Sequence, residues 1–189
     1  MLTLLIGGAR SGKTRFAESL CSREKRVAYI ATALVEDKEM AARVSRHRQD
    51  RPAHWTTIEE PLSIEVALRH AVAESDVVIV DCLTVWLSNL LYRYRRRPAS
   101  EIEEIALSKT GAIAEAASPH RVIVVSNEVG AGIVPTTKVA RVFRDLQGRV
   151  NQRMAVAADQ VFLLAAGIPL QIKPPHFVQP ISESQDYDI

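Results

Sequence analysis

The 189-residue sequence contains only two cysteines, Cys21 and Cys82, and they form no C-x-x-C pair. A disulfide framework and a zinc site are therefore not expected, and a reducing cytoplasm is the expected compartment. The sequence also has no apolar run near the roughly 18 residues that a membrane-spanning helix needs. The first apolar run spans only about six residues and has no charged segment before it, which is typical of a first strand rather than of a signal peptide.

The sequence has no strong charge of either sign. A formal net charge of +2 gives no electrostatic reason to expect a nucleic-acid or membrane partner. Hydrophobic residues make up 47% and charged residues 24%, as in ordinary globular proteins. The length suits one domain, which we expect at 1–173. The proline-containing tail at 174–189 is expected outside the core, and we assign it no role.

Short apolar runs alternate with helical patterns along the chain. The predicted strands are 2–6, 27–31, 54–58, 77–80, 121–126, 161–164 and 170–172. The predicted helices begin at Lys13 and then cover 37–50, a segment from Pro61, 83–91, 102–117 and 137–158. This alternation predicts an α/β fold with a mostly parallel sheet flanked by helices, closed by a short antiparallel C-terminal strand. Ligands of such sheets bind at the carboxyl ends of the strands.

The first strand is followed by a match to the Walker A pattern G-x-x-x-x-G-K-[ST]. Its residues are Gly7, Gly8, Ala9, Arg10, Ser11, Gly12, Lys13 and Thr14. Strand, glycine loop and helix is the layout that directs backbone N–H groups at phosphate oxygens. Lys13 would supply positive charge to the β- and γ-phosphates, and Thr14 a hydroxyl to Mg²⁺. The motif predicts a P-loop nucleotide site, against the alternative of a chance glycine turn.

Two further predicted strands end in polar residues. The run 77–80 ends at Asp81, as in a Walker B strand, so Asp81 is a candidate Mg²⁺ ligand; the alternative is that it caps the next helix. The run 121–126 leads into Asn127 and Glu128. These two could orient a hydroxyl acceptor or act as a base, or Asn127 could simply stabilise a turn. The sequence leaves that choice open.

One histidine lies among arginines in the predicted helix 37–50. His47 follows Val44 by three residues and is flanked by Arg43, Arg46, Arg48 and Arg51. Such a residue is ordinarily a core histidine beside solvated arginines. A neutral imidazole can also attack phosphorus, and arginines bind phosphate, so a nucleophilic His47 is the less ordinary alternative.

Taken together, the motifs resemble the bifunctional adenosylcobinamide kinase / adenosylcobinamide-phosphate guanylyltransferase family of cobalamin biosynthesis. The resemblance runs from Leu4 to about Lys173. Besides the Walker A loop, its most specific stretches are 29–33, 39–48, 51–55, 81–84, 127–135 and 143–152.

The resemblance implies a P-loop fold and two reactions. The acceptor adenosylcobinamide first takes the γ-phosphoryl group of ATP or GTP, and adenosylcobinamide phosphate then takes GMP from GTP, giving adenosylcobinamide-GDP and pyrophosphate. The resemblance implies that His47 is guanylylated, and that the enzyme is a homo-oligomer, by the family's precedent a trimer. It implies nucleotide contacts at the Walker A residues and at Ala31, Thr32, Ala33, Arg48, Gln49, Asp50, Arg51, Glu59 and Asp81.

Two other classes of protein remain as alternatives. One is a P-loop small-molecule kinase in which His47 is structural. The other is a nucleotide-dependent binding module that uses the basic segment Arg93–Arg97 on nucleic acid, which the small net charge disfavours.

Overall fold

The computed structural model describes residues 1–34 and 51–174. Their strands form one seven-stranded sheet and are β1 (Leu2–Gly7), β2 (Val27–Ala31), β3 (Thr56–Glu59), β4 (Val77–Asp81), β5 (Val122–Asn127), β6 (Gln160–Ala165) and β7 (Ile168–Lys173). The helices of these residues are α1 (Lys13–Leu20), α2 (Ile64–Glu74), α3 (Leu83–Arg93), α4 (Ala99–Ala117) and α5 (Lys138–Ala157). None of these helices has the length and apolar character needed to cross a membrane.

The strand order in the sheet is β3-β2-β4-β5-β1-β6-β7. All neighbouring strands run parallel except β6 and β7, which are antiparallel. The predicted sheet, including its antiparallel last strand, is confirmed. Strand β5 lies between β1 and β4, although it follows both in the chain. The carboxyl ends of β1, β4 and β5 therefore meet at one edge of the sheet, where α/β proteins bind ligands.

The core has two layers, one on each face of the sheet. Successive residues of a strand point to opposite faces, so Leu4 joins one layer and Leu5 the other. The larger layer includes Trp86 of α3, Ile113 of α4 and Met154 of α5. The smaller layer includes Ala17 of α1 and Cys21. Because β1, β4 and β5 are covered on both sides, they consist of nearly continuous apolar runs, and this made them visible in the sequence.

Most predicted boundaries differ from the structure by one or two residues, and α2, α4, β3 and β7 each differ by three residues in all. The helix predicted from Pro61 begins at Ile64, because a carboxylate oxygen of Glu60 accepts the N–H groups of Leu62 and Ser63 and forms a turn there. Helix α4 begins three residues before its prediction. Strand β7 is longer than predicted, since the turn at Ala166–Gly167, with φ of 51° and 81°, lets it pair along β6. The predicted helix 37–50 lies outside the described residues.

Candidate active site

The Walker A residues form a loop between β1 and α1. Its two ends require glycine for different reasons. A Cβ on Gly7 would lie 2.3 Å from the carbonyl oxygen of Leu164 in β6, too close for any side chain. Gly12 has a φ of +93°, in the left-handed region that glycine favours, and is the N-cap of α1. The loop also contacts the β6–β7 turn, because the Gly167 N–H donates to the Ser11 carbonyl at 3.0 Å.

The lysine of the loop is folded back onto it. Lys13 is 7% exposed, and its Nζ donates to the carbonyl oxygens of Gly7 at 2.9 Å and Gly8 at 2.7 Å. Burial lowers the pKa of Lys13, an effect that the neighbouring Cys82 and Asp81 oppose. The ammonium group therefore lies at the loop, where phosphate oxygens can compete with the carbonyls for its protons.

The loop and the end of β4 are joined directly. The Thr14 hydroxyl donates to Oδ2 of Asp81 at 2.8 Å. Asp81 does not cap α3, whose N-cap is Cys82 with no side-chain capping bond. A hydroxyl and a carboxylate in contact with each other offer two hard oxygen donors, which are the ligands that Mg²⁺ prefers. The structure thus places the two predicted metal ligands in contact, and the residues present fit a Mg²⁺ ion. Among the described residues, no cluster of three or more His, Cys, Asp or Glu side chains could hold a metal.

The predicted contacts on β2 and β3 line up beside Asp81. Ala31 pairs with Asp81 on one side and with Glu59 on the other. The buried Thr32 hydroxyl both donates to the carbonyl and accepts from the N–H of Cys82, at 2.9 and 2.8 Å. Thr32 therefore braces the segment after Asp81, and Ala31 and Glu59 extend the site along the edge of the sheet.

A buried aromatic residue that sequence reasoning did not place in the site links Asp81 to Arg51. Tyr29 is 1% exposed, and its hydroxyl donates to Oδ2 of Asp81 at 2.5 Å. The Arg51 guanidinium carbon lies 3.4 Å from the centroid of the Tyr29 ring. The buried Nε of Arg51 has no hydrogen-bond partner among the residues described. Arg51, which the resemblance implies as a nucleotide contact, is therefore held on the ring whose hydroxyl binds Asp81, and its Nε can still donate to a ligand.

The end of β5 lies directly beside the Walker A loop. Asn127 is in register with Gly7, and the Glu128 N–H donates to the Gly7 carbonyl at 3.0 Å. The turn that follows is held by the Glu128 carboxylate, which accepts the Gly130 N–H at 2.5 Å. The expected alternative of a turn held by Asn127 is thus replaced by one held by its neighbour. Thr84 of α3 accepts the Asn127 N–H at 2.8 Å and fixes the end of the strand.

Behind β5 lies a buried polar network that the sequence analysis did not identify. Gln147 donates to the Ser126 hydroxyl and to Oδ1 of Asn151, and Ser126 donates to that same oxygen. Asn151 in turn donates to the Asn127 carbonyl at 3.0 Å. The only signal in the sequence was the spacing of Gln147 and Asn151, four residues apart, which places both on one face of α5. The network fixes the point where β5 leaves the sheet.

Other predicted residues lie away from this edge or outside the described chain. His47, Arg48, Gln49 and Asp50 fall outside the described residues. The basic segment Arg93–Arg97 follows the far end of α3, eleven residues of helix and so about 16 Å from Asp81. There Arg95 stacks on Tyr92 and Arg97 pairs with Glu101, so this segment is no part of the site.

Comparison with known proteins identifies the family to which this arrangement belongs. A family model described as cobinamide kinase / cobinamide phosphate guanyltransferase matches residues 3–172. The chain belongs to this family. The resemblance found in the sequence is thereby confirmed, and the family match spans both the Walker A loop and the β5 edge.

Members of the family with assigned names are similar over their whole length. The bifunctional adenosylcobalamin biosynthesis protein CobU of Salmonella typhimurium is 42% identical over 181 residues, with 92% of this chain and 100% of the relative covered. The protein of the same name from Escherichia coli K12 is 41% identical with the same coverage. A solved ATPase of a bacterial type III secretion system aligns with a TM-score of 0.58 at 9% identity, over 87% of this chain and 51% of that one. The last likeness concerns the fold alone.

Proposed function

We propose that this protein phosphorylates adenosylcobinamide with ATP or GTP and then transfers GMP from GTP to the product, giving adenosylcobinamide-GDP and pyrophosphate in adenosylcobalamin biosynthesis. The observation that carries the proposal is the family match over residues 3–172, which includes the contact between Thr14 and Asp81 at the Walker A loop. Residues 1–173 would carry both activities as one domain, and the tail 174–189 receives no role.

The proposed kinase step uses charge and position. Lys13 and the N–H groups of the loop bind the nucleotide phosphates, and Arg51 adds a guanidinium with a free Nε among the described residues. Thr14 and Asp81 would hold Mg²⁺, which when bound offsets negative charge on the phosphate oxygens. Phosphoryl transfer depends largely on such positioning and charge neutralisation, and these groups supply both for the nucleotide.

The proposed guanylyl transfer uses His47 as nucleophile, an assignment that rests on the family resemblance. The neutral imidazole forms a bond to the α-phosphorus of GTP, and pyrophosphate leaves with the electron pair of the broken P–O bond. The phosphate of adenosylcobinamide phosphate then displaces the histidine. Arg48, Gln49, Asp50, Arg51, Glu59 and the segment Ala31–Ala33 would contact the nucleotide.

The remaining parts of the proposal concern the cellular compartment and the oligomeric state. We place the enzyme in the cytoplasm, where the two unpaired thiols suit a reducing environment. By the family's precedent we propose a homo-oligomer, specifically a trimer.

The deciding experiment combines product analysis with a label on the protein. Wild-type protein is incubated with adenosylcobinamide, GTP and Mg²⁺, and the products are identified by mass. In parallel, GTP labelled at the α-phosphate is mixed with wild type, with His47→Ala, and with the control His54→Ala. Acid-labile label on wild type and on the His54 variant, but not on the His47 variant, is expected. Phosphorylated acceptor without protein label would instead indicate a kinase that lacks the second activity.

A further inference from the structure

We propose that the loop between β5 and α5, residues 128–137, is the binding element for the corrinoid acceptor, and that Glu128 takes the proton of its hydroxyl group in the kinase step. This inference rests on the proposed function and deepens it, since the sequence left the role of Glu128 open and the family match assigns no acceptor site. It is carried by the position of the loop, by the state of the Glu128 carboxylate and by the exposed side chains that follow it.

The position follows from the strand order. Because β5 lies between β1 and β4, this loop leaves the sheet between the Walker A loop and Asp81. Its first residue is tied to the Walker A loop by the Glu128 N–H bond to the Gly7 carbonyl. An acceptor that presents a hydroxyl to the terminal phosphate of the nucleotide must approach this edge, and the loop is part of what it would meet there.

The Glu128 side chain is exposed, yet its direction is fixed. One carboxylate oxygen, Oε1, accepts the Gly130 N–H at 2.5 Å. The other oxygen makes no hydrogen bond to any described residue, so it can accept a proton from a bound hydroxyl. A carboxylate placed within reach of the substrate hydroxyl is the usual proton acceptor of such kinases.

The residues that follow are apolar and directed to solvent. Ile133 is 96% exposed and Val134 is 61% exposed, and Val139 in the first turn of α5 is 74% exposed. The loop nevertheless has a defined form, because Arg141 donates to the carbonyl oxygens of Pro135 and Thr136 at 2.9 and 2.7 Å. Exposed aliphatic groups gathered beside a polar catalytic edge are typical of a ligand-binding surface. A corrinoid suits this surface, as it is a large macrocycle that carries methyl groups among its amide side chains and, in this acceptor, one terminal hydroxyl.

The chemical step balances as follows. The acceptor oxygen forms a bond to the γ-phosphorus, and the bond from that phosphorus to the bridging oxygen of the nucleotide breaks. The nucleoside diphosphate leaves with the electron pair. The hydroxyl proton passes to the free oxygen of Glu128, which becomes a carboxylic acid and later returns the proton to solvent.

The first test separates the base from the structural part of Glu128. In Glu128→Gln the amide oxygen can still accept the Gly130 N–H, but the side chain no longer takes a proton. We expect the rate of adenosylcobinamide phosphorylation at saturating substrates to fall by about 100-fold or more, while the change Glu104→Gln, at an exposed position of α4, should leave the rate unaltered. Labelling of the variant with α-labelled GTP requires no acceptor, so retained labelling shows that the nucleotide site of Glu128→Gln is intact. A rate in Glu128→Gln within about two-fold of wild type would overturn the assignment of the base.

The second test concerns the docking surface. Ile133→Ser and Val134→Ser should raise the KM for adenosylcobinamide by about five-fold or more and leave the KM for ATP unchanged. Val66→Ser, on the half-exposed face of α2, is the matched control. A change in molecular mass measured by light scattering, with no change in the acceptor KM, would show that the loop is an interface between copies of the chain and overturn the proposal. The product analysis on wild type tests the proposed function separately, since wild-type protein would form neither product if the proposed function were wrong.

Discussion

The Tyr29 hydroxyl and the Thr14 hydroxyl donate to the same atom, Oδ2 of Asp81, at 2.5 and 2.8 Å. One carboxylate oxygen is thereby held from two elements, β2 and α1. Burial, with the charge of Asp81, raises the pKa of Tyr29, so its hydroxyl remains a donor throughout the working pH range. Partners of this kind orient a metal-binding carboxylate and commonly matter nearly as much as the ligand itself.

The first prediction is that Tyr29→Phe weakens the binding of Mg²⁺ without unfolding the protein. Phenylalanine keeps the buried ring and its contact with Arg51 but loses the bond that orients Asp81. The Mg²⁺ concentration for half-maximal phosphoryl transfer should rise by about ten-fold, as for other lost partners of metal ligands. Tyr92→Phe, an exposed change on α3, is the control. Superimposable Mg²⁺ titrations of the Tyr29 variant and wild type would contradict the orienting role.

The second prediction distinguishes the contribution of the Thr14 hydroxyl from that of the packing of its side chain. Thr14→Ser keeps the hydroxyl and should retain activity within a few-fold, whereas the nearly isosteric Thr14→Val should need far more Mg²⁺ and lose about 100-fold in rate. Both rates are measured over a Mg²⁺ titration. If serine and valine behave alike, the side chain acts through packing and Thr14 is no metal ligand.

The sequence predicted those parts of the molecule in which local pattern decides structure. The Walker A loop, the end of β4 and the antiparallel last strand all follow from short stretches of residues. Tyr29 was missed because a tyrosine inside an apolar strand has the pattern of ordinary core, and only the fold brings its hydroxyl to Asp81. The position of β5 was also beyond the sequence, since chain order does not state which strands pair.

The role of Glu128 shows a different limit. The sequence left a turn and a site residue as open alternatives for Asn127 and Glu128. In the structure one oxygen of the Glu128 carboxylate holds the turn, which leaves the other oxygen for the proposed role as a base, so the two descriptions are compatible. A list of residue types cannot separate the two oxygens of one carboxylate.

The third prediction concerns the buried network behind β5. Asn151→Ala removes the acceptor that Ser126 and Gln147 share, and leaves both as buried donors without it. The free energy of unfolding should fall by about 1–3 kcal/mol, the usual cost of unsatisfied buried polar groups. Urea denaturation measures this, and the neighbouring exposed change Gln152→Ala should stay within about 0.5 kcal/mol. Equal losses in both variants would mean that the network adds nothing to stability.

The fourth prediction is a pH dependence of stability that comes from Cys21. Burial raises the pKa of this thiol from 9.0 to about 11. Between these values the unfolded chain has lost a proton that the folded protein keeps, so stability should fall as the pH rises from about 9 to 11. Urea unfolding at pH 9, 10 and 11 should show a steeper decline in wild type than in Cys21→Ala. Parallel declines would assign the effect to other groups.

Because the β6–β7 turn contacts the Walker A loop, hydrogen exchange at this edge of the sheet should respond to nucleotide binding at the loop. The Gly167 amide hydrogen is held by the Ser11 carbonyl, so it can exchange with solvent deuterium only when the turn and the loop separate. A nucleotide that binds the loop in this form opposes that separation. Protection from exchange would then extend from the loop to the β6–β7 turn, and nucleotide binding would stabilise the edge strand as well as the loop.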